Sequence, residues 1–147
     1  MDLLNCLYAF IGSFGFSLVF RIHHNIKFSL IGATIGALGW ATYLLSYSLN
    51  NMITQTFMAM VVVTFLAEVN ARIHKAPATI FILVGCFPLV PGKYIYESMY
   101  YMVYGQPELF SSAISSTFLI SGSIAFAILI VSSVFKMQKT IMLKLKK

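Results

Sequence analysis

The stretch Phe87-Pro-Leu-Val-Pro-Gly-Lys93-Tyr-Ile-Tyr-Glu97 decides how this chain folds. It interrupts an apolar segment that starts near Pro77 and continues to about Tyr104. Pro88 has no N–H for the carbonyl of Val84, and Pro91 has none for that of Phe87, so two acceptors are freed close together. Gly92 permits backbone angles that other residues avoid. As one helix, segment 77–104 would be about 40 Å long, more than a hydrocarbon core of about 30 Å accepts in a straight crossing. Pro88 lies about 11 residues from Pro77, or roughly 16 Å, near the middle of such a core. The expectation is two half-helices joined by an unwound stretch at mid-membrane. Such a stretch is tolerated only inside protein or beside a watery cavity. In secondary transporters it forms the substrate site, where the free N–H groups and positive end of the second half-helix face an anionic group. Lys93 adds a full positive charge at that end, and Glu97 lies one turn further on the same face. Pro88, Pro91, Gly92, Lys93 and Glu97 are therefore the candidate substrate-binding residues. The plain alternative is a proline kink that only shapes a packing surface.

The rest of the sequence supplies the membrane setting. Of its 147 residues 59% are apolar and 10% charged, and the mean hydropathy is +0.86. A soluble domain carries about 25% charged residues to wet its surface. This composition excludes a soluble enzyme, a disordered regulator and a nucleic-acid binder, despite the net charge of +6. Apolar segments are read at about 3–20, 28–49, 54–71, 77–104 (broken near 88–92) and 115–135, followed by a basic tail at 136–147. The fold class is all-α: one polytopic membrane domain over 1–147 with about five transmembrane helices. The first segment follows Asp2 with no basic run before it and no small-residue cleavage site after it, so it is read as a retained span.

Orientation follows from the basic residues. Arg21 and Lys27 flank the first loop and Arg72 and Lys75 the third, while Lys136, Lys139, Lys144, Lys146 and Lys147 occupy the tail. The N-terminus and the other loops hold only Asp2 and Glu108, and Lys93 alone lies within an apolar segment. The bias puts the N-terminus outside and the C-terminus in the cytoplasm. The tail can also lie on anionic lipid headgroups.

The remaining polar features have bland explanations beside sharper ones. Gly32-x-x-x-Gly36 and Gly39, next to Trp40, let another helix approach the second span closely. Gly12 and Gly15 are read the same way. The serines and threonines between Ser115 and Ser133 bond either their own helix or a neighbour. Glu68 and Arg72 are four apart on one helix face and can pair near the cytoplasmic end, with Arg72 snorkelling. The alternative makes Glu68 a proton or substrate carrier. His23, His24 and His74 sit in basic loops as solvated or pH-sensing groups. Cys6 and Cys86 are far apart and lack metal-ligand spacing, so both are packing residues. No HExxH, no Gly-x-Ser-x-Gly and no catalytic carboxylate pair occurs, and neither enzyme activity nor a metal or other cofactor is expected.

In order and spacing these features resemble the small subunit of the split threonine/serine exporter (ThrE-type) family, over about residues 10–135. The residues that carry the resemblance are Phe16-Ser-Leu-Val-Phe-Arg21, Gly32 to Trp40, Thr56-Phe57, Arg72, Pro77, and Pro88-Leu-Val-Pro-Gly92 with Tyr94 and Tyr96. The resemblance implies a subunit of a two-component secondary exporter in the bacterial cytoplasmic membrane. Its partner would be a larger five-span protein with a soluble N-terminal domain. The family's substrates are small carboxylates, threonine and serine in some members and succinate in others. Some members are single fused chains with the large part first, which requires the small part to begin outside, as the basic residues independently indicate. In this picture Lys93 and the start of the second half-helix hold the carboxylate, and Glu68 or Glu97 holds an ammonium group or a coupling proton. A dicarboxylate would need a second cation such as Arg72. The competing class is a non-transporting assembly subunit, and a homo-oligomer is the alternative assembly.

The orientation is directly testable. A reporter active only in the cytoplasm should work when fused after Lys147 and fail when fused after Asn51. Equal signals at the two points would contradict an outside N-terminus with an odd number of crossings.

Overall fold

The computed structural model describes residues 2–20 and 26–145. Arg21, His23 and His24 of the first basic loop, and Lys146 and Lys147 of the tail, lie outside the described residues. The described chain is all helical: α1 (Asp2–Val19), α2 (Ile26–Leu45), α3 (Met52–His74), α4 (Ala78–Cys86), α5 (Gly92–Val103) and α6 (Pro107–Leu145). Ile26–Ser48, Met52–His74 and Pro107–Gln138 are each long and apolar enough to cross a membrane. Ala78–Leu89 and Gly92–Val103 qualify together as a pair bent by 58°. With its 18 residues, α1 reaches only about 27 Å, at the short end of a crossing. The chain is a multi-pass membrane protein with about five spans.

Local chemistry sets the boundaries. A single 3-10 turn, Ser46–Leu49, extends α2, and Asn50 ends it in the left-handed region at φ 50°, which asparagine tolerates. Asn51 then caps α3, its Oδ1 accepting the Ile53 N–H at 3.0 Å. At the other end of α3, Lys75 takes the left-handed conformation, the Ala76 N–H reaches back to the Ala71 carbonyl at 3.0 Å, and Pro77 prevents continuation. Gly105, at φ 66°, closes α5 in the same way, with the Gln106 N–H on the Tyr101 carbonyl at 2.9 Å. Helix α6 differs from the expected span 115–135: it begins at Pro107 and runs 39 residues to Leu145. Proline is preorganised for a first helical turn, and the Lys, Met and Leu of the tail are helix formers with no breaker among them.

Lipid tails are as apolar as leucine, so helices in a bilayer associate through close packing rather than through water exclusion. Helix α2 organises that packing, because it contacts α1, α3 and α4, while α6 lies against α3 and α5. Its glycines divide the task. A Cβ at Gly32 would stand 2.8 Å from Val84 Cγ1 and 2.9 Å from Val84 Cβ on α4. One at Gly36 would crowd Ser13 on α1, and one at Gly39 would collide with Val63 on α3. Gly85 returns the fit from α4, with Ile35 Cγ2 at 2.9 Å and Val63 Cγ1 at 3.0 Å. Around these positions Ala33, Ala59, Met60, Val63, Phe81 and Val84 are fully buried. Gly12 sits under the Phe87 ring, whereas a Cβ at Gly15 would meet nothing within 4 Å among the described residues. Ser116, Thr117 and Ser123 of α6 all donate to carbonyls of their own helix.

Alanine at Gly32 therefore tests the hub. A rotamer change can move Val84 Cγ1 but not its Cβ, so the backbones must separate. Gly32→Ala should lower stability by about 1–3 kcal/mol, the usual cost of overpacking, in unfolding of detergent-purified protein. Gly122→Ala on α6, where a Cβ meets nothing within 4 Å, should be neutral or stabilising by up to about 1 kcal/mol.

Candidate functional site

Between α4 and α5 the chain is broken where the two prolines require it. The acceptors that the prolines abandon are not left free, however. The Phe87 N–H donates to the Val84 carbonyl, and the Val90 N–H donates to the Phe87 carbonyl at 3.4 Å. Each is a one-residue tightening into 3-10 geometry. The exposed backbone groups lie one step further on. The Gly92 N–H is drawn onto the Val90 carbonyl at 2.8 Å, and α5 starts with the Ile95 N–H on the Pro91 carbonyl at 3.1 Å. That leaves the carbonyls of Pro88 and Leu89 without a backbone donor, and the amides of Lys93 and Tyr94 without a backbone acceptor. Gly92 does not adopt a left-handed conformation, so the expected need for unusual angles is not met. A Cβ there would meet nothing within 4 Å; the residue borders open space.

That space is a cavity of about 250 Å³, just below the usual range for a small-molecule site. Trp40 and Tyr43 of α2, Met52 and Thr56 of α3, the segment Pro88–Tyr94 and Ile120 of α6 line it, so four helices and the break converge on one volume. The Trp40 and Tyr43 rings stack at 5.2 Å, and the Trp40 indole nitrogen is buried without a hydrogen-bond partner. The Thr56 hydroxyl donates to the Met52 carbonyl at 2.9 Å and keeps its lone pairs as acceptors. A second cavity of about 320 Å³ reaches Asn50 and Asn51 and shares Met52, Tyr94 and Ile120 with the first. The Tyr94 hydroxyl meets Met52 Sδ at 3.2 Å where the two volumes adjoin. A larger groove of about 550 Å³ between α1 and α2 is walled by residues such as Leu3, Cys6, Leu44 and Leu45. It gathers no charged group, as expected of a lipid-facing crevice.

Pro88, Pro91, Gly92 and Lys93, expected as substrate residues, all line the cavity at the break. Lys93 stands at the rim with its side chain 74% exposed, 3.7 Å from the Glu97 carboxylate. Glu97 is thus joined to the site through Lys93 and is not in the lining. The expected Glu68–Arg72 pair is not formed. Arg72 Nη2 donates to the Phe135 carbonyl of α6 at 2.7 Å, and the guanidinium lies over the Phe135 ring at 4.6 Å. A planar donor fork satisfies a carbonyl and a ring face together, which a pair along one helix does not offer. Glu68 is half-buried and twelve residues beyond Thr56 on α3, about 18 Å away, so neither residue reaches the cavity. Among the described residues no group of three or more His, Cys, Asp and Glu gathers to hold a metal.

Trp40, Tyr43 and Tyr94 escaped the sequence reading as site residues, because the helices that carry them give no local sign of what they will face. One signal was available for Trp40. It is the only tryptophan and lies near the middle of Ile26–Ser48, not at a span end where interfacial tryptophans gather. A mid-span indole needs an acceptor for its N–H.

Comparison with curated proteins and with solved structures finds no match. The sequence model of the family described as Threonine/Serine exporter, ThrE, matches residues 5–134, which covers the whole break and all but the outer ends of the first and last helices. By that match over most of its length, this chain belongs to the threonine/serine exporter (ThrE) family.

Proposed function

We propose that this chain is the small membrane subunit of a two-component secondary exporter of threonine and serine. It works with a larger five-span partner in the bacterial cytoplasmic membrane, its N-terminus outside and its C-terminus in the cytoplasm. One observation carries the reading: the residues whose amides (Lys93 and Tyr94) or carbonyls (Pro88 and Leu89) lack a backbone partner all line the same cavity. An α-amino acid carries an anion and a cation on adjacent atoms and needs both kinds of partner. The α5 N-terminal amides and Lys93 receive the carboxylate. The two carbonyls, which only accept, receive the ammonium group. Succinate would require a second cation at the cavity, and Arg72 is engaged with Phe135 instead. Glu97, held to Lys93, and Glu68 on α3 are the carboxylates proposed to couple a proton gradient to export.

Half of a carrier should not work alone. Expression of this chain in threonine-loaded cells should add no efflux, and co-expression with the large subunit should. Efflux from the chain alone would favour a self-sufficient homo-oligomer, and no contribution in any combination would favour an assembly role. In inside-out vesicles containing both subunits, Lys93→Gln should raise the half-saturating serine concentration. A charge-assisted hydrogen bond is worth roughly 1.5–3 kcal/mol, and the exposure of Lys93 places the effect at the low end, about tenfold. Wild-type affinity in Lys93→Gln would show that the lysine only snorkels outward.

A further inference from the structure

We infer that the indole N–H of Trp40 is the specificity-determining donor of the cavity, and that it reads the side-chain hydroxyl of the substrate. The inference rests on the amino-acid reading of the break and extends it to the part of the ligand that distinguishes serine from alanine. The indole nitrogen is closed off from solvent and has no partner, and a buried donor left unpaired is disfavoured. Indole can only donate, so the group that relieves it must bring a lone pair. No protein acceptor lies within hydrogen-bond distance of it, and the ring is stacked on Tyr43. A hydroxyl oxygen of the ligand supplies the acceptor.

The position of the ring suits that task. Trp40 lines the cavity at the break on one side and, on the other, a smaller volume of about 210 Å³ bounded by Tyr8, Gly12, Phe87 and Pro88. The ring therefore borders two free volumes, and reading a ligand requires it to turn so that its buried N–H enters the first. With the carboxylate held at the start of α5 and the ammonium group at the Pro88 and Leu89 carbonyls, the side chain is the part of the ligand left to meet α2. A site that donates to a hydroxyl discriminates against the analogue lacking it, because the donor is then buried unpaired.

Trp40 is the only tryptophan in the chain, so selective ¹⁵N-indole labelling gives one resonance. The full chain, labelled and assembled with its unlabelled large partner in nanodiscs, should show that resonance moving downfield with serine or threonine and not with alanine. In transport, Trp40→Phe keeps the aromatic face and removes the N–H. It should cut the preference for serine over alanine by about three- to tenfold, the worth of one neutral hydrogen bond. An equal loss for serine and alanine, or an indole shift as large with alanine, would assign the N–H to the carboxylate and overturn the inference. Because the labelled wild type needs no variant, a misfolded Trp40→Phe protein would not obscure the result. If no amino acid moves the resonance and none is transported, the amino-acid reading of the break itself fails.

Discussion

The approach of α4 to α2 at Gly32 is the constraint on which the remaining structure depends. With Val84 Cβ 2.9 Å from where a Gly32 side chain would begin, the two backbones can be this close only because one has no side chain. In a bilayer such close approach substitutes for the hydrophobic drive that folds soluble proteins. Gly36 and Gly39 extend the same face toward α1 and α3, so a single helix fixes three neighbours. The N-terminal half of the broken span is thereby anchored in the buried core, where Phe81, Val84 and Leu89 pack. Its C-terminal half is not: α5 turns away by 58° and rests on α6. The cavity lies where anchored and diverging halves meet.

The break itself is a compromise between two demands. A bilayer penalises every unpaired backbone group, and the two 3-10 tightenings at Phe87 and Val90 reduce the number exposed. A site for a zwitterion needs some donors and acceptors left over. Pro88 and Pro91 settle which ones: the carbonyls of residues 88 and 89 and the amides of residues 93 and 94 are left without backbone partners within a few residues of one another. A single proline kink would leave acceptors alone, and an α5 N-terminus without the preceding turn would leave donors alone. The sequence Pro-Leu-Val-Pro-Gly gives both.

Much of this was legible in the amino-acid order. Apolar run length and the clustering of Lys and Arg identified the spans, and the helix packing of Gly32, Gly36 and Gly39 followed from their spacing. The break was placed to within a residue or two, since proline's missing N–H acts locally and no tertiary context restores it. Relations between helices were less legible. Glu68 and Arg72 share a face on α3, but a guanidinium reaches far enough to find a carbonyl and a ring on α6 that no spacing rule anticipates. Trp40, Tyr43 and Tyr94 converge only once α2, α3 and α5 are packed. The start of α6 at Pro107 was missed because Glu108, Ser111 and Ser112 are polar, and hydropathy reports membrane burial rather than helicity.

The central claim is that the break faces a substrate-filled aqueous cavity and not lipid. The direct measurement is the labelling rate of a single cysteine at Gly92, where a side chain meets nothing within 4 Å, with Cys6 and Cys86 replaced by alanine. A charged, membrane-impermeant thiol reagent should modify Gly92→Cys in the assembled exporter, and serine should slow that reaction in proportion to its occupancy. Gly122→Cys, in a comparably open position on α6, should stay unmodified. A Gly92→Cys thiol as inert as that at position 122, or one whose rate no amino acid alters, would contradict the account.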